Sequence, residues 1–325
     1  MEYRIAIVNS SSFGKRFPEH IERLRKIGTV ERVRVSGEAH GAELAHALEG
    51  FNVVIASVTP FFDAEFFAAK RDLLLLSRHG IGFNNVDIDA AKAAGTLVTT
   101  VEPEVERDSV AEGAVAILMD CMRHVSDSHV AANEGRWAER ASFVGNGLSG
   151  KTLGVIGCGN IGTRVVEILK RGFDMDVMVC DPVRRPEWAN EFGVDYVDLD
   201  TLVSKADVIS LNADLNPTSF HVLGKEQFSK MRKGVYVTDD ARADLIDQEA
   251  MLAALDDGTV AGLAIDVMHD EPPEPTDPYF NHPKVLVTTH IAAYTEECLH
   301  GMGEKCVGDV ERLVDGKPPV NAKTE

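Results

Sequence analysis

No stretch of this chain approaches the roughly 18 consecutive apolar residues that a membrane-spanning helix needs. The best candidate, residues 110–122, is interrupted by Glu112 and Asp120. Basic residues are also in short supply: 33 Lys and Arg stand against 52 Asp and Glu, a formal net charge of −19. A surface this acidic repels phosphate backbones and anionic lipid, so neither nucleic acid nor a membrane is an expected partner. The five cysteines (Cys121, Cys158, Cys180, Cys298, Cys306) are odd in number and contain no CxxC pair. They read as free thiols in a reducing compartment. The histidines are scattered without ligand spacing, so no metal is expected. Nor is there a signal peptide: the chain runs from Met1-Glu2-Tyr3-Arg4 directly into a strand-like segment. A cytoplasmic location follows as the expectation.

What remains is an ordinary globular composition, with 44% hydrophobic and 26% charged residues over 325 positions, enough for about two domains. Short apolar runs at 5–8, 30–35, 53–56, 73–77 and 97–99 alternate with helical patterns such as 19–27 and 42–48. One long amphipathic helix is expected over 109–129. A second alternation follows, with strands at 152–156, 177–180, 208–211, 235–238, 263–267 and 285–288. These runs are almost continuously apolar or β-branched, as in strands buried on both faces. A last amphipathic helix, 295–313, is placed to pack back on the first sheet. The fold class is α/β, with two doubly wound parallel sheets.

The second alternation opens with a strand that runs into Gly157-Cys158-Gly159-Asn160-Ile161-Gly162 and then a helical pattern. In such a G-x-G-x-x-G turn the first glycine permits the bend and the second lets backbone approach a pyrophosphate. The third allows helix and strand to pack closely, and the N–H groups of the helix start face the negative charge. The next strand ends in Asp181, where a carboxylate accepts hydrogen bonds from ribose hydroxyls and repels a 2′-phosphate. This favours NAD over NADP, although Arg184 and Arg185 lie close enough to accept a phosphate.

Three further residues fall at the C-terminal ends of expected strands, the edge where open α/β sheets bind ligands. Arg242 follows strand 235–238, Asp266 ends strand 263–267, and His290 follows 285–288, with Glu271 in the loop between the last two. Histidine suits proton transfer beside a carbonyl at neutral pH. A carboxylate against its ring would orient it and stabilise its protonated form. An arginine offers a planar fork to a substrate carboxylate. Together they fit hydride transfer between a nicotinamide and a hydroxyl-bearing carbon.

In these motifs the chain resembles the D-isomer-specific 2-hydroxyacid dehydrogenases. Ser77-Arg-His-Gly-Ile-Gly-Phe-Asn-Asn-Val-Asp87 is similar to that family's R-x-G-x-G-x-D-N-x-D segment. Ser109-Val-Ala-Glu112 is similar to the start of its inter-domain helix, and Leu148-Ser-Gly-Lys-Thr-Leu-Gly154 to the entry of its nucleotide domain. The resemblance implies a Rossmann NAD-binding domain, residues 101–290, inserted into a flavodoxin-like substrate domain made of 1–100 and 291–325, with a cleft that closes on a hinge. It implies that Arg242, Glu271 and His290 are catalytic, and that the Ile81 and Gly82 amides join Arg242 and His290 in binding substrate. Gly157, Gly159, Asn160, Ile161, Gly162, Asp181, Asn212, Ala241 and Asp266 would contact the cofactor, Asp266 at the nicotinamide carboxamide. The implied reaction is the reversible NAD-linked reduction of a 2-keto acid to a D-2-hydroxy acid in a homodimer, with the dimer contact in the region 109–137. The chain ends soon after its last helix, so an appended regulatory domain is not expected.

Departures from the family pattern bear on the substrate. Asp239-Asp240-Ala241-Arg242-Ala243 stands where Asn-Thr/Ala-x-Arg-Gly is usual, so Asp239, Asp240 and Asp244 surround the arginine. Asn212 and Asp214 replace His and Pro, and Thr289 replaces the Pro before His290. The segment 101–107 carries Glu102, Glu104 and Glu106, with Arg107 as a candidate second substrate anchor. Formate-oxidising relatives carry glutamine at the position of Glu271, which argues against that activity. The alternative from another class is an NAD(H)-sensing, corepressor-like regulatory protein, since such relatives keep the Arg/Glu/His set.

Overall fold

In the computed structural model, which describes residues 2–324, the chain forms two compact units. Among the described residues, the first comprises 2–106 and 294–324, and the second 107–293. No helix among the described residues is long and apolar enough to cross a membrane.

The first unit is built on a five-stranded sheet of β1 (Arg4–Val8), β2 (Thr29–Val33), β3 (Val53–Ala56), β4 (Leu75–Arg78) and β5 (Leu97–Thr99). All pairings are parallel and the order is β2-β1-β3-β4-β5, the flavodoxin-like arrangement. β1, β3 and β4 are buried over nearly their whole length, whereas the edge strand β2 has both faces partly exposed. One face is covered by a core containing Leu44, Phe62, Phe66 and Val98. The other is covered by Leu24 together with Cys306, Val307 and Val310 of the last helix, Glu296–Val314. Thr295 starts that helix by accepting the Cys298 N–H on its side chain.

The second unit carries β6 (Thr152–Ile156), β7 (Asp176–Cys180), β8 (Val194–Tyr196), β9 (Val208–Leu211), β10 (Val235–Asp239), β11 (Val260–Ile265) and β12 (Val285–Val287). This sheet is also wholly parallel, in the order β12-β11-β10-β9-β6-β7-β8. The strand order reverses direction between β6 and β9, so both crossovers leave the C-terminal ends of the strands clear at that point. Large apolar cores flank the sheet, one containing Leu211, Val237 and Ile265 and the other Val155, Val179 and Val208.

Two expectations need correction. The long helix expected over 109–129 is two helices, Pro103–Arg123 and Val125–Asn133, separated by His124 in the left-handed conformation at φ 52°. A non-glycine residue there interrupts the helical hydrogen-bond ladder, and amphipathic spacing does not reveal it. The edge strand β8 was not expected, because three residues with a central exposed aspartate carry no apolar run.

Candidate active site and cofactor site

The glycine-rich turn joins β6 to the helix Asn160–Phe173. Gly157 has φ +85°, and a Cβ there would come within 2.5 Å of Ala213 backbone. A Cβ on Gly162 would lie 2.2 Å from the Gly157 carbonyl oxygen. Both glycines are therefore demanded by the chain's own packing. Gly159 is different: a Cβ there would meet no atom within 4 Å, so the protein's packing does not explain it. Close approach of a phosphate to the backbone would. Gly159 is also the N-cap of the helix and brings no side chain to its first N–H groups.

Asp181 follows β7 and holds this turn in place. Its Oδ2 accepts the Cys158 N–H at 2.6 Å and its Oδ1 accepts the Val183 N–H at 2.6 Å. Each carboxylate oxygen keeps a second lone pair, so ribose hydroxyls remain possible donors. The Arg184 guanidinium rests over the Tyr196 ring at 5.8 Å, and the Arg185 N–H donates to the Tyr196 hydroxyl. Asn212, just past β9, donates its Nδ2 to Ser210 Oγ, while its buried Oδ1 has no partner among the described residues. An acceptor left over at this edge, the uncrowded Gly159 and the placement of Asp181 together fit a dinucleotide.

At the ends of β10, β11 and β12 the second unit brings together Arg242, Asp266 and His290. His290 sits at φ +56°, in a turn that Asp266 clamps. Asp266 accepts the Thr288 hydroxyl at 2.5 Å and the Ile291 N–H at 2.9 Å on Oδ1, and the Ala292 N–H at 2.8 Å on Oδ2. Glu271 reaches His290 Nδ1 with both oxygens, at 2.7 and 2.9 Å, and accepts the Met268 N–H at 3.1 Å. An ionised carboxylate only accepts hydrogen bonds, so Nδ1 carries the proton and Nε2 is left for chemistry. Burial pushes the Glu271 carboxyl up, but the hydrogen bond and charge of His290, the Met268 N–H and the Arg242 charge outweigh it. The group stays below its ordinary range.

Arg242 follows Ala241, whose carbonyl accepts its Nη1 at 2.5 Å and whose N–H donates to Asp239 Oδ1 at 2.9 Å. Of the three carboxylates expected around Arg242, Asp244 pairs with His269 Nδ1 at 2.8 Å. Asp239 and Asp240 are buried.

In the first unit the segment 78–82 is held by the buried Arg78, which donates Nε to the Gly82 carbonyl at 2.8 Å and Nη1 to the Ala56 carbonyl at 2.9 Å. The Ile81 N–H, expected to meet a substrate carboxylate, donates instead to Glu106 Oε1 at 2.9 Å. Arg107, the candidate second anchor, is committed to Glu167 at 2.8 Å in the second unit. Sequence spacing also missed a group of metal-ligating residue types, since Glu19, His20 and His300 have ligand atoms within 4.8 Å of one another. His20 there pairs with Glu304 at 3.1 Å. All five cysteines are free, and burial raises the thiols of Cys121, Cys158 and Cys306 to about 12.

Comparison with known proteins accords with this geometry. The family model described as D-isomer specific 2-hydroxyacid dehydrogenase, NAD binding domain, matches residues 115–292. D-3-phosphoglycerate dehydrogenase of Archaeoglobus fulgidus is 34% identical over 94% of this chain and 57% of its own length. Hydroxypyruvate reductase of Thermotoga maritima is 35% identical over 82% of this chain and 85% of its own. The chain spans about half the length of the phosphoglycerate dehydrogenases it matches. Among solved structures, D-lactate dehydrogenase from Aquifex aeolicus complexed with NAD and lactic acid superposes with a TM-score of 0.84 at 26% identity, covering 99% of both chains. A nucleotide turn, an imidazole–carboxylate pair and an arginine on one sheet edge thus agree with the matches, and the chain belongs to the D-isomer specific 2-hydroxyacid dehydrogenases, a family of NAD-dependent oxidoreductases.

Proposed function

We propose that this protein interconverts a 2-keto acid and a D-2-hydroxy acid, with NAD as the hydride carrier. The observation that carries the proposal is the His290–Glu271 pair, 2.7 Å apart, presented at the same strand-end edge as Arg242. NAD, when bound, supplies the hydride in reduction and accepts it in oxidation. In reduction, His290 donates the Nε2 proton to the nascent alkoxide oxygen, and the Glu271 carboxylate stabilises the imidazolium before transfer and orients the ring throughout. In oxidation His290 takes the hydroxyl proton back at the same nitrogen. Arg242 fixes the substrate carboxylate with its planar fork, which aligns the reacting carbon.

The first unit is the substrate domain in this reading, and the amides of Ile81 and Gly82 contribute to carboxylate binding. That role requires Glu106 to yield the Ile81 N–H, so Glu106 is a determinant of which acids are accepted. Gly157, Gly159, Asn160, Ile161, Gly162, Asp181, Asn212 and Ala241 hold the cofactor, and Asp266 adds the nicotinamide carboxamide to the bonds it already makes. The protein acts as a cytoplasmic homodimer. Exposed apolar side chains at Val125, Val130 and Trp137, within the region 109–137, support the dimer, to be checked by light scattering.

The test is NADH oxidation by the purified protein with pyruvate, glyoxylate, hydroxypyruvate, phosphohydroxypyruvate and branched 2-keto acids. Turnover of one or more acids is expected, falling by about 10²–10⁴-fold in His290→Ala. Tight NADH binding without turnover on any acid would overturn the proposal in favour of a sensing role.

A further inference from the structure

Asp239 ends β10 and Asp240 follows it at once, where the family pattern has Asn and then Thr or Ala. This places two adjacent carboxylates on the edge that carries Arg242 and, on the neighbouring strand, Asp266, whose N–H donates to the Asp239 carbonyl at 2.9 Å. Both side chains are buried, Asp239 completely and Asp240 with 8% exposure. Asp239 uses Oδ1 on the Ala241 N–H, but its Oδ2 and both oxygens of Asp240 have no hydrogen-bond partner among the described residues.

A buried carboxylate without partners is costly when ionised, and holding a proton relieves that cost. Burial is the largest cause pushing Asp239 up to about 7. The Ala241 and Arg242 N–H groups and the Arg242 charge pull it down, and Asp266 pushes it up. Asp240 is raised well above its ordinary range by burial and then by Asp239; its own backbone N–H pulls it down, and Asp266 pushes it up again. The charged and titratable groups around the pair are therefore Asp266 at the end of β11, Arg242 beyond β10, and Tyr279. The Tyr279 phenol feels Asp239 together with Asp247 and Asp277. Arg242 offsets part of the burial cost at Asp239, while Asp239 and Asp266 oppose ionisation of Asp240, so a further cation at this edge would favour the ionised pair.

We propose that Asp239 and Asp240 sense the charge of the nicotinamide: the pair keeps a proton when the cofactor binds with its ring reduced and neutral, and releases it to solvent when the cofactor binds with its ring oxidised and cationic. One O–H bond of a carboxylic acid breaks, its electron pair stays on the carboxylate, and the proton leaves to buffer. NAD⁺ binding then strengthens as pH rises, whereas NADH binding does not, and the preference for the oxidised cofactor grows with pH. The inference rests on the assignment of the NAD site to this sheet edge.

The experiment is calorimetric titration of the full chain with NAD⁺ and with NADH between about pH 6 and 8, in buffers of different ionisation heat. For the wild type, NAD⁺ affinity should rise by up to tenfold per pH unit with measurable proton release, while NADH affinity stays flat. The Asp239→Asn/Asp240→Asn variant should bind NAD⁺ with neither slope nor proton release. Asp240→Ala, which only deletes an unpartnered group, should reduce both and serves if the double variant folds poorly. A flat NAD⁺ profile in the wild type, or an unchanged slope in these variants, would overturn the inference. Failure to bind either nucleotide would instead overturn the NAD site itself.

Discussion

Three glycines of the same turn sit in three different environments, and the differences can be tested one residue at a time. Gly157→Ala places a Cβ against Ala213 at a left-handed φ, and Gly162→Ala places one against the Gly157 carbonyl. Overpacking of this kind costs about 1–3 kcal/mol. Both variants should melt at lower temperature than wild type in thermal denaturation. Gly159→Ala meets nothing in the protein, so its melting temperature should stay unchanged while NADH affinity falls. Equal melting losses in all three would show that Gly159 is a packing residue instead. At the His290–Glu271 pair, Glu271→Gln keeps a hydrogen-bond acceptor for His290 but removes the charge. We expect kcat/KM for keto-acid reduction to fall by about tenfold or more, through kcat rather than KM. An unchanged kcat would mean that Glu271 only packs against the ring.

At the scale of elements, two interior strands of the second sheet do the positioning. β10 and β11 are buried along most of their length, so the residues that follow them, Arg242 and Asp266, are placed by a rigid support. β12 is a half-exposed edge strand of three residues, and the turn beyond it needs separate anchoring. Asp266 and Thr288 provide that anchoring through three hydrogen bonds to the turn that bears His290. Thr288→Val removes one of them without changing side-chain shape. Amide hydrogen exchange should speed up at 288–292 and turnover should drop several-fold, with NADH affinity kept. Unchanged exchange in that segment would show that the remaining bonds suffice.

For the molecule as a whole, the pH dependence of stability follows from its buried acids. Asp239 binds its proton more tightly in the folded state, at about 7, than in the unfolded chain, at its ordinary 3.8. Between those values the folded state holds more protons, so this group makes the protein less stable as pH rises through that window. Glu271 works in the opposite sense: its lowered value contributes stability that is present above its unfolded range and is lost as acid protonates it in the folded state. Asp239→Asn should therefore flatten the decline in melting temperature from about pH 4 to 7 relative to wild type. A parallel decline in both proteins would mean that Asp239 is ionised throughout.

The strands other than β8, the glycine-rich turn and the pairing of Glu271 with His290 were legible in the amino-acid sequence. Buried parallel strands must be continuously apolar, and a pyrophosphate needs glycines at fixed spacing, so both leave a local imprint. The sequence likewise carried Asp239 and Asp240 as a departure from pattern, though not their burial. Tertiary structure alone decided what each carboxylate does, because a side chain's partners come from elements far apart in the chain. It gave Glu106 to the Ile81 N–H, Arg107 to Glu167, Asp244 to His269 and Asp266 to the His290 turn. It also broke a continuous helical pattern at His124 and recruited β8 to the sheet edge. Local spacing records which face of an element is apolar; it does not record which charge, on another strand, completes a given carboxylate.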